Sequence, residues 1–594
     1  MHFKQQLPAD QACALLLSNM QAQLTHYWFQ YFVLWVQVFI AVGVFVVVSI
    51  IPRLGERFFR PVESFCSSFA ARRTTAIWSV FLATIVIRVM LFPAIGVPFP
   101  QDHDERSYLL MAETFAHGRL AYPPHPLWKS FETFHVNFLP TYSSMYPPAQ
   151  GAVLALGLIL GHPWLGVLLS VAAMCVTVVW MLQAWMPSRW AFLGGVITLC
   201  NLGVVSYWVN SYWGGAAAAT GGALVLGALP RIFRTQRVRY SLLLGLGVAI
   251  LANSRPYEGL LFCIPAAVWL LLWLAGRSSP PLRKTIPTVL LPAAGVLALT
   301  AAFMAYYNWR LTGNALLMPY MLNFHTYYRT PAFLWQHAGA PIHYNNQQFD
   351  DYYNGWSRDR YNGGVRDLVR VSREKVRLLT AVFLWPGAFP ALFCLPVALR
   401  DRRMRLLFVE LLFCLAGIFS VVYSMPHYAA PLTCVIYGLI VQGIRHLRAI
   451  RIGTRPAGIG LARASILLLL LTTGFNAYHL IRTPAHAYSW SWNEGTGNPS
   501  TSKIERQLDQ IPGKHLIVVR YGANHNPHGE WVFNHADIDR SRIVWARELD
   551  PQQNDKLFTY FKDRKIWLFE PDRNSQTLTP LHVNSLRLGA HSGG

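Results

Sequence analysis

Residues 98–120 read PFPQDHDERSYLLMAETFAHGRL, and this stretch decides how the rest of the chain is organised. It follows an apolar run that is long enough to cross a bilayer, so we expect it at a membrane surface. Three carboxylates, Asp102, Asp104 and Glu105, lie near its start. Carboxylates beside a bilayer are costly unless they are solvated, paired or used in function. The stretch therefore indicates either the polar start of a helix or a catalytic carboxylate at a membrane–water boundary.

Residues 104–119 have the spacing of a helix that lies along this surface. Its apolar face consists of Leu109, Ala112, Phe115 and Ala116. Tyr108 comes four residues after Asp104 and three after Glu105, so it shares their side of the helix. The structural alternative is that acidic residues occupy a first helical turn because the helix dipole favours them there.

Composition places the chain among polytopic membrane proteins. Of its 594 residues, 53% are hydrophobic and only 13% are charged. The net charge is +23, and Arg clusters lie between the apolar runs, where the positive-inside rule places them. We therefore expect the lipid bilayer as a partner and no nucleic acid. The eight cysteines form neither a CxxC metal pattern nor a disulfide framework, and no cofactor is expected.

Twelve transmembrane helices of about 20 apolar residues each are predicted. They lie near residues 27–51, 76–98, 163–186, 190–208, 213–230, 240–252, 257–276, 285–307, 379–398, 406–424, 430–446 and 463–482. Assigning the Arg-rich linkers to the cytoplasm places both termini on the outer side of the membrane. This scheme requires that residues 147–161, a segment of 15 residues, form a re-entrant or interfacial helix. The expected location is a bacterial inner membrane, with both termini in the periplasm.

Three regions follow from these spans: an N-terminal extension with one extra transmembrane helix and a basic cytoplasmic linker (1–75), a transmembrane module (76–482) and a periplasmic α/β domain (483–594). The module carries two long outer loops, 99–162 and 308–378. The second loop is rich in aromatic residues, notably Tyr327, Tyr328, Trp335, Tyr344, Tyr352, Tyr353 and Trp356. Aromatic planes suit sugar rings, but an interfacial aromatic belt is an equal alternative. Residues 365–378 alternate basic and apolar side chains, which predicts a helix on the membrane surface.

The C-terminal region changes character after Pro484. Strands are predicted at 515–520, 543–546 and 565–569, with helices around 504–511 and 555–563, a pattern typical of a small α/β domain. Between the strands, residues 524–539 read NHNPHGEWVFNHADID. Metal binding is conceivable there, but the spacing matches no established ligand motif, so a polar surface loop is predicted.

Arg255 is the only Lys or Arg in the short outer loops. A lone cation at this level suggests an anionic partner, although Glu258 could instead pair with it. His427 and its neighbour Tyr428 add polar groups at the same level. Arg binds phosphate in a planar, bidentate way. A carboxylate base and a cationic phosphate site on one face favour a reaction in which an acceptor hydroxyl attacks an activated carbon and a phosphate leaves.

The run DERSYLLMAETFAHGRL, followed by MYPPAQG, resembles the first outer loop of the GT-C glycosyltransferases. It is similar to those of the protein O-mannosyltransferase and lipid A aminoarabinose transferase types. The resemblance covers residues 76–440 and rests on topology and two short motifs. It implies an all-α polytopic GT-C-like fold, with residues 76–482 as its transmembrane catalytic module, and an inverting transfer of a sugar from a polyprenyl-phosphate carrier to an acceptor, which could be a protein, a lipid or a glycan.

The resemblance implies roles for individual residues. Asp104 matches the catalytic base, with Asp102 in reserve, and Glu105 matches its acidic neighbour. Asp104 and Glu105 are predicted to be catalytic, and the predicted substrate-binding residues are Asp102, Tyr108, Tyr146, Arg255, His427 and Tyr428. Tyr146 stands where aminoarabinose transferases carry Lys, which weakens a claim for that sugar. The outer turn NSYWGG, residues 210–215, lacks the acids that bind metal in oligosaccharyltransferases, so no metal is expected.

Other classes remain as alternatives. A transporter or flippase of lipid-linked sugars would place polar groups within the membrane and often shows repeated halves, whereas here the polar residues collect at one face. A glycan polymerase or ligase of another membrane fold would also use outer Arg and His residues. A non-catalytic scaffold would leave the acidic stretch unexplained.

Overall fold

The computed structural model describes residues 35–276, 280–482, 500–573 and 577–581. It confirms the predicted fold class, a helical membrane protein with a small C-terminal α/β unit. The chain termini, which were predicted to be periplasmic, lie outside the described residues.

The helices are numbered in chain order. The first half contains α1 Trp35–Ile50, α2 Glu56–Ala71, α3 Arg73–Ile95, α4 His103–Ala116, α5 Trp128–Phe131, α6 Pro148–Ile159, α7 Pro163–Trp185, α8 Ser188–Thr198, α9 Gly215–Thr235, α10 Val238–Ser254 and α11 Pro256–Ala275. The second half contains α12 Leu282–Thr285, α13 Leu291–Thr312, α14 Pro319–Tyr327, α15 Gln347–Phe349, α16 Val365–Phe383, α17 Phe389–Leu392, α18 Leu395–Ala398, α19 Met404–Ser420, α20 Thr433–Leu447, α21 Ala457–Arg482, α22 Ser500–Asp509 and α23 Pro551–Tyr560.

Among the described residues, seven helices are long and apolar enough to cross a membrane. They are Arg73–Ile95, Pro163–Trp185, Gly215–Thr235, Pro256–Ala275, Leu282–Thr312, Pro426–Leu447 and Ala457–Arg482. Trp35–Ile50 and Val238–Ser254 are shorter apolar helices at two further predicted spans. The predicted span 379–398 is wrong as a continuous helix. After α16 ends at Phe383, the chain forms three short turns, because Pro386, Pro390 and Pro396 interrupt the backbone hydrogen bonds.

Residues 147–161 form a short helix, as the topology scheme requires. Helix α6 has 12 residues, and at about 1.5 Å per residue its length is well below the ~30 Å hydrocarbon core. It packs so tightly on α4 that a Cβ atom built at Gly151 would lie only 2.2 Å from Met111 Sδ. This close approach holds the acidic stretch against the helix that follows Tyr146.

A 3-10 helix, Pro426–Leu432, precedes α20 and carries the predicted site residues His427 and Tyr428. It packs against α9, where a Cβ at Gly222 would lie 2.3 Å from the Pro431 carbonyl oxygen. Any larger residue at position 222 would push this turn, which carries His427 and Tyr428, away from α9.

The C-terminal sheet contains β3 Lys514–Val519, β4 Ile543–Arg547, β5 Arg564–Phe569 and β6 Leu578–Pro580, in the order β4-β3-β5-β6. A separate two-residue pair, β1 Val136–Asn137 and β2 Ser143–Ser144, lies in the first outer loop. Strand β3 is parallel to both β4 and β5, and β6 is antiparallel to β5. The strands predicted at 515–520, 543–546 and 565–569 are confirmed.

The C-terminal unit shares a hydrophobic core with the first outer loop. Leu516 and Val518 of β3 pack in one cluster with Leu110 and Phe131. The other face of β3 packs on α22 through Ile504 and Leu508. A sheet buried on both faces is typical of parallel strands. The unit is therefore fixed against the acidic stretch by apolar burial.

Candidate active site

Asp104 lies in the first turn of α4 with a carboxylate that is partly open to solvent. Its side chain is 30% exposed, and His135 Nδ1 lies 3.0 Å from Oδ1, although not at a hydrogen-bonding angle. The hydroxyl of Tyr146 donates a short hydrogen bond to the same oxygen. Oδ2 accepts no hydrogen bond from any described residue. One carboxylate oxygen is thus held in place and the other is free to accept a proton.

His135 is a site residue that the sequence reasoning missed. Its Nε2 lies 2.8 Å from the Tyr328 hydroxyl, and its carbonyl accepts a hydrogen bond from Ser107 Oγ at 2.7 Å. The backbone has a φ of 61°, which is unusual for a residue other than glycine and is held by these contacts. The only sign of it in the sequence is a histidine between aromatic residues of the first outer loop, 99–162.

Tyr146 and Tyr108 form one aromatic wall of the site. Their rings stack with centroids 4.4 Å apart, and both side chains are buried. Pro147 precedes α6 and Pro148 is its first residue, a position that Pro favours because its φ suits the helix and no N–H is lost. The Tyr-Pro-Pro element therefore directs the Tyr146 hydroxyl at Asp104.

Glu105 faces the backbone instead of the open space beside Asp104. Its Oε2 accepts hydrogen bonds from the N–H groups of Gln101 at 2.6 Å and Asp102 at 3.2 Å, and its Oε1 accepts one from Tyr212 N–H at 2.8 Å. Burial raises the pKa of Glu105 to about 7, while the backbone donors act in the opposite direction. This geometry favours a positioning role, in which Glu105 ties α4 to the turn 210–215, over the direct catalytic role predicted from the sequence.

Asp102 is the N-cap of α4. Burial, followed by the charge of Asp104, raises the pKa of Asp102 to about 6, and His135 opposes this effect. Asp102 therefore holds its proton at a higher pH than an ordinary aspartate does.

Arg255 lies at the junction of α10 and α11, where its guanidinium carbon sits 4.5 Å from the centroid of the Tyr428 ring. Burial lowers the pKa of Arg255, but Tyr108, Tyr428, Glu258 and Asp104 raise it, with a net increase. Asp104 and Arg255 are therefore close enough to act on each other. Within the described chain, no carboxylate lies at ion-pair distance from Arg255, so the predicted pairing with Glu258 is not formed.

His427 points into the protein core. Its Nδ1 lies 3.2 Å from the Tyr207 hydroxyl, and its ring meets Trp213 edge-on at 4.4 Å. Only 4% of the residue is exposed. The two predicted polar neighbours therefore face different ways. Tyr428 contacts Arg255, whereas His427 packs inside the protein beneath the 3-10 helix.

A narrow apolar crevice runs beside these groups. Pro147, Pro256, Tyr307 and Tyr320 contribute to its lining. It therefore lies between the helix that follows Tyr146 and the helix that follows Arg255.

The aromatic residues of loop 308–378 make two kinds of contact. Tyr327, Tyr344 and Tyr353 pack in a buried cluster with Phe134 and Phe349, which is a structural role. Tyr352, a member of the same cluster, and Tyr328, which packs against it, also contact histidines of the site. Tyr328 contacts His135, Tyr352 packs near His103, and Trp356 lies edge-on to His528 at 4.5 Å. Trp335 is exposed and stacks on Phe333.

The polar stretch 524–539 forms the predicted polar loop, with a 3-10 turn at Pro527–Gly529. Five of its ionisable residues have separate partners: His525 with Asp572, Glu530 with Arg547, His535 with Glu113, Asp537 with Arg540 and Asp539 with His125. In the part of the chain that the structure describes, no group of three or more His, Cys, Asp or Glu residues is arranged to hold a metal ion.

No protein-family model and no curated protein sequence matches the chain. It is similar to the solved oligosaccharyltransferase of Archaeoglobus fulgidus tethered to an acceptor peptide, with a TM-score of 0.44 and 10% identity over 83% of this chain and 68% of that one. It is also similar to ArnT from Cupriavidus metallidurans bound to undecaprenyl phosphate, with a TM-score of 0.45 and 15% identity over 83% of this chain and 93% of that one.

Proposed function

We propose that this protein is an inverting glycosyltransferase of the outer face of a bacterial inner membrane. It moves a sugar from a polyprenyl-phosphate carrier to an acceptor hydroxyl. The observation that carries the proposal is the arrangement of Asp104, with one carboxylate oxygen held by Tyr146 and the other free, beside an Arg255 that has no carboxylate partner among the described residues.

Asp104 is the general base in this proposal. The free Oδ2 accepts the proton of the acceptor hydroxyl as its oxygen attacks the anomeric carbon of the donor. The hydrogen bond from Tyr146 orients the carboxylate, and the His135 ring lies against the same oxygen, so that little reorganisation is needed during the reaction.

Arg255 stabilises the leaving group. As the new glycosidic bond forms, the bond between the anomeric carbon and the phosphate oxygen breaks, and the electron pair leaves with the polyprenyl phosphate. A guanidinium can bind two phosphate oxygens at once, and its position over the Tyr428 ring limits its orientation. Attack opposite the departing phosphate inverts the anomeric centre.

The lipid chain has a suitable surface next to this cation. The apolar crevice between Pro147 and Pro256 is lined in part by residues of α10 and α13, and the same two helices carry the exposed apolar side chains Leu242, Leu246 and Phe303. A polyprenyl chain on this surface would leave its phosphate near Arg255. Under the positive-inside scheme, the site faces the periplasm.

The test uses purified full-length protein in lipid nanodiscs with a panel of polyprenyl-phosphate sugars. We expect wild type to release polyprenyl phosphate and Asp104→Asn to lose at least about 100-fold in rate, a typical contribution of a general base. Asp563→Asn, a change at an exposed carboxylate of the C-terminal unit, is the matched control. If wild type binds the lipids but releases no polyprenyl phosphate from any of them, the proposal is wrong and a transporter becomes the better assignment.

A further inference from the structure

A second cavity, separate from the Asp104 carboxylate, lies where the C-terminal unit meets the outer loops. It has a volume of about 460 Å³, within the range of small-molecule binding sites. Lys129 of α5 and Asn345 and Gln348 of the second outer loop form one side, and Arg520, Arg547 and Gln553 of the C-terminal unit form the other. We call this space the seam cavity.

The seam cavity lies at the carboxyl ends of two parallel strands. Arg520 directly follows β3, and the lining residue Glu548 directly follows β4. Ligands of open parallel sheets bind in the crevice outside the carboxyl ends of the strands, where the connecting loops diverge. Here the outer loops cover that crevice and supply half of its lining.

The lining contains three cations and the two carboxylates Glu548 and Asp550, and both of its arginines are paired with a carboxylate. Arg520 forms two hydrogen bonds to Glu548, at 2.5 and 2.6 Å. Arg547 is buried and pairs with Glu530. Lys129 is the one lining cation without a carboxylate at ion-pair distance among the described residues. The cavity therefore has no strong charge with which to select an anionic ligand.

The remaining lining is rich in carboxamides with unused hydrogen-bonding groups. Asn345 Nδ2 donates to Glu132 at 3.1 Å and Gln348 Oε1 accepts from Arg547 at 2.5 Å. Asn345 Oδ1, Gln348 Nε2 and the whole Gln553 amide make no hydrogen bond with any side chain or backbone that the structure describes. Carboxamides present a donor and an acceptor together, which suits the neighbouring hydroxyls of a sugar.

The seam cavity is also close to the candidate active site along the chain. Glu132, which binds Asn345, is only three residues before His135, which contacts Asp104. Three residues span at most about 10 Å. A short segment of the first outer loop therefore joins the wall of the cavity to the residues around Asp104.

We propose that the seam cavity binds a neutral, hydroxyl-rich oligosaccharide. Resting on the proposed transferase function, this oligosaccharide is part of the acceptor, so that the acceptor is a glycan or a glycan-bearing molecule. The Asn345, Gln348 and Gln553 amides hold its inner sugar units and leave the terminal hydroxyl at Asp104.

The first experiment measures binding by saturation-transfer NMR with full-length protein in nanodiscs. The probes are neutral oligosaccharides of two to six sugar units and matched uronate-containing ones. We expect neutral members to bind, and Asn345→Ala and Gln553→Ala each to weaken binding about tenfold, the effect of a lost hydrogen bond. Gln510→Ala, at an exposed glutamine of the same unit, is the control and should bind as wild type does.

Three results would overturn the site: no neutral member binds, the two cavity variants bind as tightly as wild type, or the uronate series binds better. The acceptor role is tested separately, by supplying the bound oligosaccharide together with a donor that wild type turns over. Elongation by wild type supports this role, whereas binding without elongation overturns it. Asp104→Asn should bind the oligosaccharide normally, so a failure of the transferase proposal leaves the binding result intact.

Discussion

The Tyr146 hydroxyl donates a hydrogen bond to the Asp104 carboxylate, a residue 42 positions earlier in the chain. The bond joins the start of α4 to the residue just before the Pro-Pro start of α6, and the two helices pack closely at Gly151. Both motifs that the sequence singled out therefore meet at one oxygen atom.

Tyr146→Phe should lower kcat about 10- to 100-fold and change the donor KM little. The substitution removes the donor that holds Asp104 Oδ1 but keeps the stack on Tyr108. Steady-state release of polyprenyl phosphate gives both constants. Tyr560→Phe, at an exposed tyrosine of α23, serves as the control, and an unchanged kcat in Tyr146→Phe would mean that this bond does not position the base.

Arg255→Lys should raise the donor KM about tenfold or more. Lys keeps the positive charge, but it lacks the planar pair of N–H donors that matches a phosphate. The donor KM is compared with that of Arg373→Lys, a change on the exposed side of α16. An equal donor KM in Arg255→Lys and wild type would remove Arg255 from the phosphate site.

Asp102→Asn should stabilise the protein at neutral and alkaline pH. The folded pKa of about 6 lies above the ordinary value of 3.8, so the folded state disfavours the ionised form. The favourable contribution of the protonated carboxyl is complete below about pH 3.8 and is lost as the pH rises through about 6. Because Asn cannot ionise, the variant avoids this loss, and its free energy of unfolding at neutral and alkaline pH should be higher by about 1–2 kcal/mol. Asn also remains a good N-cap residue.

Thermal unfolding at pH 5 and pH 8 tests this expectation. The increase in Tm caused by Asp102→Asn should be larger at pH 8 than at pH 5, and Asp563→Asn should show no such difference. A shift in Tm that is equal at the two pH values would contradict the assignment.

Glu63 should make the fold sensitive to acid on the side of the basic linkers. Burial raises its pKa, but hydrogen bonds from Arg463 and Arg448 outweigh this and lower it from 4.5 to about 2. The stability that Glu63 contributes is therefore complete above about pH 4.5 and is lost as the pH falls toward 2. Because the carboxylate is partly exposed, we expect Glu63→Gln to cost only about 1 kcal/mol at pH 7.

The comparison for Glu63 is Glu56→Gln, which affects only exposed pairs with Arg53 and Arg60. Glu63→Gln should have a lower Tm than Glu56→Gln at pH 7, and the difference should shrink as the pH is lowered from 4.5. Equal Tm values for the two variants at pH 7 would show that the bridge to Arg448 and Arg463 adds nothing.

The sequence by itself determined the helical membrane class, most spans, the surface helix α4 and the strands of the C-terminal unit. These features depend on local patterns: apolar runs of membrane length, helical spacing, and short alternating or buried strands. Asp104 and Tyr146 are predicted from two short motifs that resemble those of the GT-C glycosyltransferases. The break after Phe383 does not show in the hydropathy, although Pro386 and Pro390 interrupt the helix there.

The tertiary structure alone decided how these residues act. Glu105 stands next to Asp104 in sequence, yet its carboxylate turns to the backbone of Tyr212; His135, with no motif around it, reaches Asp104. The seam cavity joins Lys129, Gln348 and Arg547 from three distant parts of the chain. The direction of a side chain and the meeting of distant loops depend on packing across the whole molecule, and no local pattern in the sequence records them.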